Sequence, residues 1–256
     1  MHDQELSLLH GVAPGSTYGL AWFGVMIAER FGAYHDGHAY CLAALKLIER
    51  HGFEGDLTSA LLALDQVSAW TSPMEFARRT ALEAVDSARL SGDLAMGCYA
   101  RNHLVSDSLF MGRYLPDVAE EVKQGLATVR RCGYSDIEQI LQAQQAFVAN
   151  LSGAACVAST TPVNSATTLF FRHLFTGMSA FYLGNIPHAM RHLAKAGDNA
   201  WAAPAHINLA DYHLFHGLAL GSPEAPASLA DKLSELRGLR ERFSRWAGFN
   251  LSLIHI

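Results

Sequence analysis

Histidine is the residue most able to do chemistry in this chain, and two of its pairs have ligand-like spacing. The sequence holds 13 histidines. His188 with His192 and His213 with His216 would each share one face of a helix and could bind a metal. Two imidazoles alone make a weak site, and no carboxylate or cysteine stands at helical spacing to complete either pair. The expectation is therefore packed or solvated histidines, with no metal, no cofactor and no catalytic residue. Cys41, Cys98, Cys132 and Cys156 are far apart and form no Cys-x-x-Cys pair, so they read as reduced core thiols of a cytoplasmic protein. Asn102 falls in the stripe Cys98, Asn102, Val105 and Leu109 and is expected to turn inward. A buried amide needs partners, either a neighbouring helix or turn or a ligand groove. It is the one candidate interaction residue that the sequence offers.

Other chemistry is excluded by what is missing. No Gly-x-x-x-x-Gly-Lys-Ser/Thr loop occurs, and none of the four lysines (46, 123, 195 and 232) follows a glycine, which argues against nucleotide hydrolysis. Gly-x-Ser-x-Gly and His-Glu-x-x-His are also absent, which removes the commonest hydrolase and zinc-protease readings. A formal charge of −5 with 19 basic residues spread thinly offers no face for nucleic acid. The longest fully apolar run, Gly19 to Ala28, is about half the length of a bilayer span. The N-terminus lacks the basic and apolar regions of a signal peptide.

The elements that must carry these residues are helical. Apolar residues recur at three and four throughout, and no convincing strand pattern appears. Helices are predicted near 3–10, 17–31, 35–50, 56–69, 73–90, 94–111, 116–131, 136–151, 166–183, 186–197, 204–220 and 227–246. Ser135 with Glu138 and Ser72 with Glu75 match the capping box, with Pro73 at a first helical position. The apolar stripes Val118, Val122, Leu126, Val129 and Ile137, Ile140, Leu141, Phe147, Val148, Leu151, the latter interrupted by Gln144, mark core faces, as does the cluster Phe170, Phe171, Phe175, Phe181, Tyr182. Three tight turns share one form: Gly32-Ala33-Tyr34, Gly112-Arg113-Tyr114 and Gly184-Asn185-Ile186. Their spacing suits helical hairpins repeating every 35 to 40 residues or so, in the range of tetratricopeptide repeats. The best repeat places small residues at Gly177, Ala180, Gly184, Ala189 and Ala196, where antiparallel helices must approach closely. The fold expected is an all-α, irregular tetratricopeptide-like helical-hairpin solenoid over residues 1–250.

Several segments resemble a known family. They are Leu6-Ser-Leu-Leu-His-Gly-Val-Ala-Pro14, Ala21-Trp-Phe-Gly24, Arg30-Phe-Gly-Ala-Tyr34, Ser91-Gly-Asp-Leu94, the Asn102 to Gly112 stretch, Gly184 with the Ala-rich helix after it, and Phe243-x-x-Trp246-Ala247. Together they look like the helical-repeat region of large hybrid signal transduction histidine kinases, also described as predicted AAA-ATPase sensors. The chain departs from that family at Gly153 to Ser165, where members carry a longer acidic insert. The resemblance implies a fragment truncated at both ends, with kinase-like, ATPase, GAF and histidine-kinase chemistry lying outside it. The role implied is to bind a protein or an intramolecular domain partner and relay activation. The alternatives are a small-molecule signal held in a concave groove and a free-standing adaptor. Residues 251–256, Leu-Ser-Leu-Ile-His-Ile, match the in-frame translation of a transposon mosaic end used in sequencing libraries. They are expected to be an adapter artefact.

Overall fold

The computed structural model describes residues 11–13, 15–154, 156 and 162–250. The expected helix at 3–10, the tail at 251–256 and much of the Gly153 to Ser165 departure lie outside the described residues. Among those described, the chain is all helical with no strand. The helices are α1 (Ser16–Phe31), α2 (Tyr34–His51), α3 (Leu57–Ser68), α4 (Met74–Ser91), α5 (Leu94–Phe110), α6 (Leu115–Cys132), α7 (Ser135–Leu151), α8 (Ala166–Tyr182), α9 (Ile186–Asn199), α10 (Asn208–Gly221) and α11 (Leu229–Phe249).

The chain divides into two compact units. One runs to Asp107 and takes in Pro204–His206; the other comprises Ser108–Ala203 and the residues from Ile207 onward. In the first, α1 packs on α2 and α3 on α4, and α1 and α2 both lie against α3. Residues Thr58 to Ser68 of α3 are all buried, which makes it the central helix of the unit. Leu61 and Leu62 meet Ala84 and Val85 of α4 and Ala100 of α5. In the second unit, α6 packs on α7, α7 on α8, α8 on α9, α9 on α10 and α10 on α11. Its core includes the predicted stripes of α6 and α7, apart from the half-buried Leu151, together with Phe170, Phe171, Leu174 and Phe175 of α8. Tyr182 departs from the predicted aromatic core: it is exposed at the end of α8.

The three turns form as their glycines require. Gly32, Gly112 and Gly184 all have positive φ, a conformation that a Cβ would strain. After each of them the next backbone N–H returns to the helix, Ala33 to the carbonyl of Ile27, Arg113 to that of Ser108 and Asn185 to that of Ala180. The capping box at Ser135 does not form. α7 starts at Ser135 itself, with no side-chain cap, and Glu138 instead accepts from Arg130 Nε at 2.8 Å and from Gln142 Nε2 at 3.0 Å. α4 begins one residue after Pro73, also without a side-chain cap. Side-chain caps are supplied at Ser165, Asn185 and Ser228.

Close helix approach rests on small residues at two crossings. A Cβ on Gly177 would sit 2.8 Å from Leu193 Cγ, so α8 and α9 meet where the repeat pattern placed a small residue. A Cβ on Gly24 would lie 2.5 Å from the Gly37 carbonyl oxygen, and one on Gly37 would strike the Gly24 carbonyl in turn. Backbone cannot yield there as a side chain can. Gly24→Ala should therefore cost about 1–3 kcal/mol despite a gain of about 1 kcal/mol in helix propensity. Gly19→Ala, on the same helix with nothing within 4 Å of its added Cβ, should keep that gain. Urea unfolding of the two variants measures both, and equal behaviour would mean that α1 and α2 do not cross at Gly24.

Candidate functional site

An open cleft of about 380 Å³ lies within the second unit. α7 lines it with Gln139, Gln142, Ala143, Ala146, Phe147 and Asn150, one face of a helix at three- and four-residue spacing. α8 adds Arg172, Phe175, Thr176 and Ser179, while His192 of α9 and Cys156 close it. Phe147 and Phe175 are buried and form an apolar floor, with ring centroids 5.5 Å apart. The polar side chains are held from behind. Arg172 Nη2 donates to Gln139 Oε1 at 2.9 Å, Asn150 Nδ2 to Ser179 Oγ at 3.4 Å, and Thr176 Oγ1 to the Arg172 carbonyl at 2.8 Å.

His188 and His192 do share a face of α9, with ring centroids 4.6 Å apart. The third imidazole is His173 of α8, whose Nδ1 is 3.0 Å from Nδ1 of His192. One of these two nitrogens must carry a proton and the other accept it, so at least one of the rings is neutral. Burial, then the positive field of His173, His188, Lys195 and Arg191, lowers His192 to about 4. Burial, then Lys195 and Arg172, lowers His173 as well. In the other sequence pair, His216 Nε2 meets Glu235 Oε1 of α11 at 2.6 Å, a carboxylate that helical spacing could not reveal. His213 packs beside Trp246, and burial with the nearby Arg242 lowers it to about 3. Among the described residues no group of three or more His, Cys, Asp or Glu is disposed to hold a metal ion.

Asn102 is 3% exposed on α5, with polar contacts of its own, and is not one of the residues lining the cleft. Around it the first unit gathers an ionisable cluster that sequence reasoning missed. His103 Nδ1 is 2.5 Å from Asp65 Oδ2, and the rings of His103 and His206 meet at 4.7 Å. Asp107 stands one turn from His103 on α5, and all four groups are buried. Burial raises Asp65 to about 7 and, with the charge of Asp65, raises Asp107 well above the carboxylate range. Burial lowers His103 to about 4 and His206 well below its ordinary value. The signal was available in part: Asp65 is the one charged residue of the helix Leu57–Ser68, and a buried carboxyl calls for partners. All four side chains are buried, so the cluster sits within the packed interior.

All four cysteines are free thiols. Cys41 and Cys98 are buried, and burial pushes the Cys41 thiol up to about 12, which makes it inert at neutral pH. Cys132 and Cys156 are half-exposed and do not belong to the core. Among the described residues no helix is long and apolar enough to cross a membrane. No protein-family model and no curated protein matches the chain, and nothing in these comparisons links it to histidine kinases or AAA-ATPases.

Proposed function

We propose that the chain is a non-catalytic, tetratricopeptide-like helical-repeat module that binds a protein or an adjacent domain through its hairpin turns. What supports the reading is the placement of large apolar side chains that are left exposed. Phe31, Leu90, Leu94, Tyr114, Tyr182 and Leu183 all stand within two residues of a positive-φ turn glycine, and Phe31 and Leu90 are 74% and 79% exposed. Turns are ordinarily the most polar part of a helical hairpin. Large apolar side chains placed there suit anchors for a partner surface. A further part of the proposal, resting on the resemblance alone, is that the partner is an ATPase or kinase module whose activation the repeats relay or restrain.

The test is to add the full chain in trans to ATPase and histidine-kinase modules taken from a protein of the family it resembles. ATP turnover, autophosphorylation and binding are read together. Binding with a changed turnover is expected, weakened about tenfold by Phe31→Asp or Leu183→Asp while the helical circular dichroism is kept. Absence of binding to every module would end the relay reading. Binding that ignores both substitutions would end the role of the turns.

A further inference from the structure

The cleft of the second unit has a composition that selects a class of ligand, independently of any partner at the turns. Its described lining contains no carboxylate in a chain of formal charge −5. Arg172 is the lining residue with a fixed charge, held against α7 through Gln139. The charged groups acting on His173 and His192 are the cations Arg172, Arg191 and Lys195, with no acidic group among them. Glu138, one residue from Gln139, is taken up by Arg130 and Gln142. Beside this positive rim lie Ala143, Ala146, Phe147 and Phe175, whose small and aromatic side chains leave an apolar hollow.

We infer that the cleft between α7 and α8 binds a small organic carboxylic acid, its carboxylate at Arg172 and its apolar body over Phe147 and Phe175. The volume is at the lower end for ligand pockets, enough for one compact molecule. A planar guanidinium matches a carboxylate in shape. A single guanidinium among neutral amides and hydroxyls balances one negative charge, and a phosphate dianion would leave charge uncompensated. Thr176, Ser179 and Asn150 supply hydroxyl and amide groups at the margin, where a ligand is oriented without further charge. His192 would register the occupant, because an anion beside a neutral imidazole favours its protonated form.

The test uses the full chain with 3-phenylpropanoate as probe, 3-phenylpropanamide as its uncharged match, and a short peptide ending in phenylalanine with a free carboxylate. Calorimetry near neutral pH should show saturable one-to-one binding of the acid, with the amide weaker by about tenfold or more. Arg172→Gln should remove the preference for acid over amide. Ala143→Leu, which fills the hollow and keeps the charge, should weaken acid and amide alike; circular dichroism checks that both variants stay folded. On binding, the His192 imidazole signals should titrate at higher pH than in the free chain, a shift that simple loss of packing would not produce. Equal affinity for acid and amide would overturn the inference, as would binding that survives both substitutions or fails to saturate by about 10 mM. A peptide bound about tenfold tighter than the free acid would overturn the small-molecule assignment.

Discussion

Trp70→Ala is expected to lower the unfolding free energy of the chain by about 3–5 kcal/mol, enough to unfold a marginal domain. Trp70 is 0% exposed, and its ring stacks on Tyr34 with centroids 5.2 Å apart and an interplanar angle of 29°. Removing the indole leaves a cavity that the fully buried α3 end cannot close. It also strips a hydrogen bond, since Trp70 Nε1 donates to the Ala205 carbonyl at 2.6 Å. That carbonyl belongs to a segment with a cost of its own: Ala205 has φ 54, and left-handed backbone costs a residue with a Cβ about 1–2 kcal/mol. The segment is held by Glu29, which accepts from the Ala205 N–H at 2.8 Å, by Gln66, which donates to the Pro204 carbonyl, and by Trp70. Trp70→Phe keeps a ring against Tyr34 but loses the hydrogen bond and part of the packed volume, so it should cost about 1–3 kcal/mol. Trp201→Ala, at a position 75% exposed, should cost less than about 0.5 kcal/mol. Urea unfolding followed by circular dichroism separates the three. A Trp70→Ala loss no larger than that of Trp201→Ala would mean that Pro204–His206 is not docked in the first unit.

The same segment shows where the sequence stops being legible. Hydrophobic period and turn glycines placed most of the helices to within about two residues, because both signals are local. The largest departure is the helix expected at 204–220, which begins at Asn208, while the last helix runs three residues past its expected end at 246. Pro204 suits a first helical position, and nothing nearby argues otherwise. The residues that pull the chain out of helix there are Glu29, Gln66 and Trp70, more than a hundred positions earlier, and only tertiary contact brings them together. The capping box at Ser135 failed for a related reason: Glu138 had a better partner in Arg130 of the preceding helix than in a backbone N–H.

The candidate sites follow the same division. That His188 and His192 share a face was readable from spacing of four, and so was the inward turn of Asn102. The addition of His173 to that pair, of Glu235 to His216, and of Asp65 and His206 to His103 all depend on pairing between helices. The cleft is in the same position. Gln139, Gln142, Ala143, Ala146 and Asn150 form a plain polar and small face of α7, and that face looks solvated until Arg172 and Phe175 of α8 stand opposite it.

Asp107→Asn should gain stability relative to its parent as pH rises above the ordinary carboxylate range. Asp107 on α5 has Asp65 of α3, His103 of its own helix and Arg78 of α4 as its electrostatic neighbours. A carboxyl raised by burial keeps, in the folded chain, a proton that the unfolded chain releases. Its contribution to stability is whole below about pH 4 and is lost as pH rises through the folded pKa. Asp65, raised to about 7, and Asp107, also raised, both act this way. A histidine lowered by burial acts oppositely: its contribution is whole above about pH 6.5 and is lost as pH falls through the folded pKa. His103, lowered to about 4, and His206 are of this kind. Between about pH 4 and 6.5 the two carboxyls and two imidazoles nearly cancel, at about 1.4 kcal/mol per proton per pH unit. Above that window the histidines fall silent and the carboxyls alone draw stability down. Asparagine has the shape of the neutral acid and no proton to lose, so it removes one descending contribution. The stability of Asp107→Asn relative to the parent should rise with pH from the ordinary carboxylate range upward, until the Asp107 carboxyl ionises in the folded chain. Asp211, raised to about 7 in the other unit, and the remaining histidines act equally in both proteins and drop out of the difference. Parallel stability curves for the two proteins would mean that Asp107 is already ionised in the folded chain, and that Arg78 and His103 outweigh its burial.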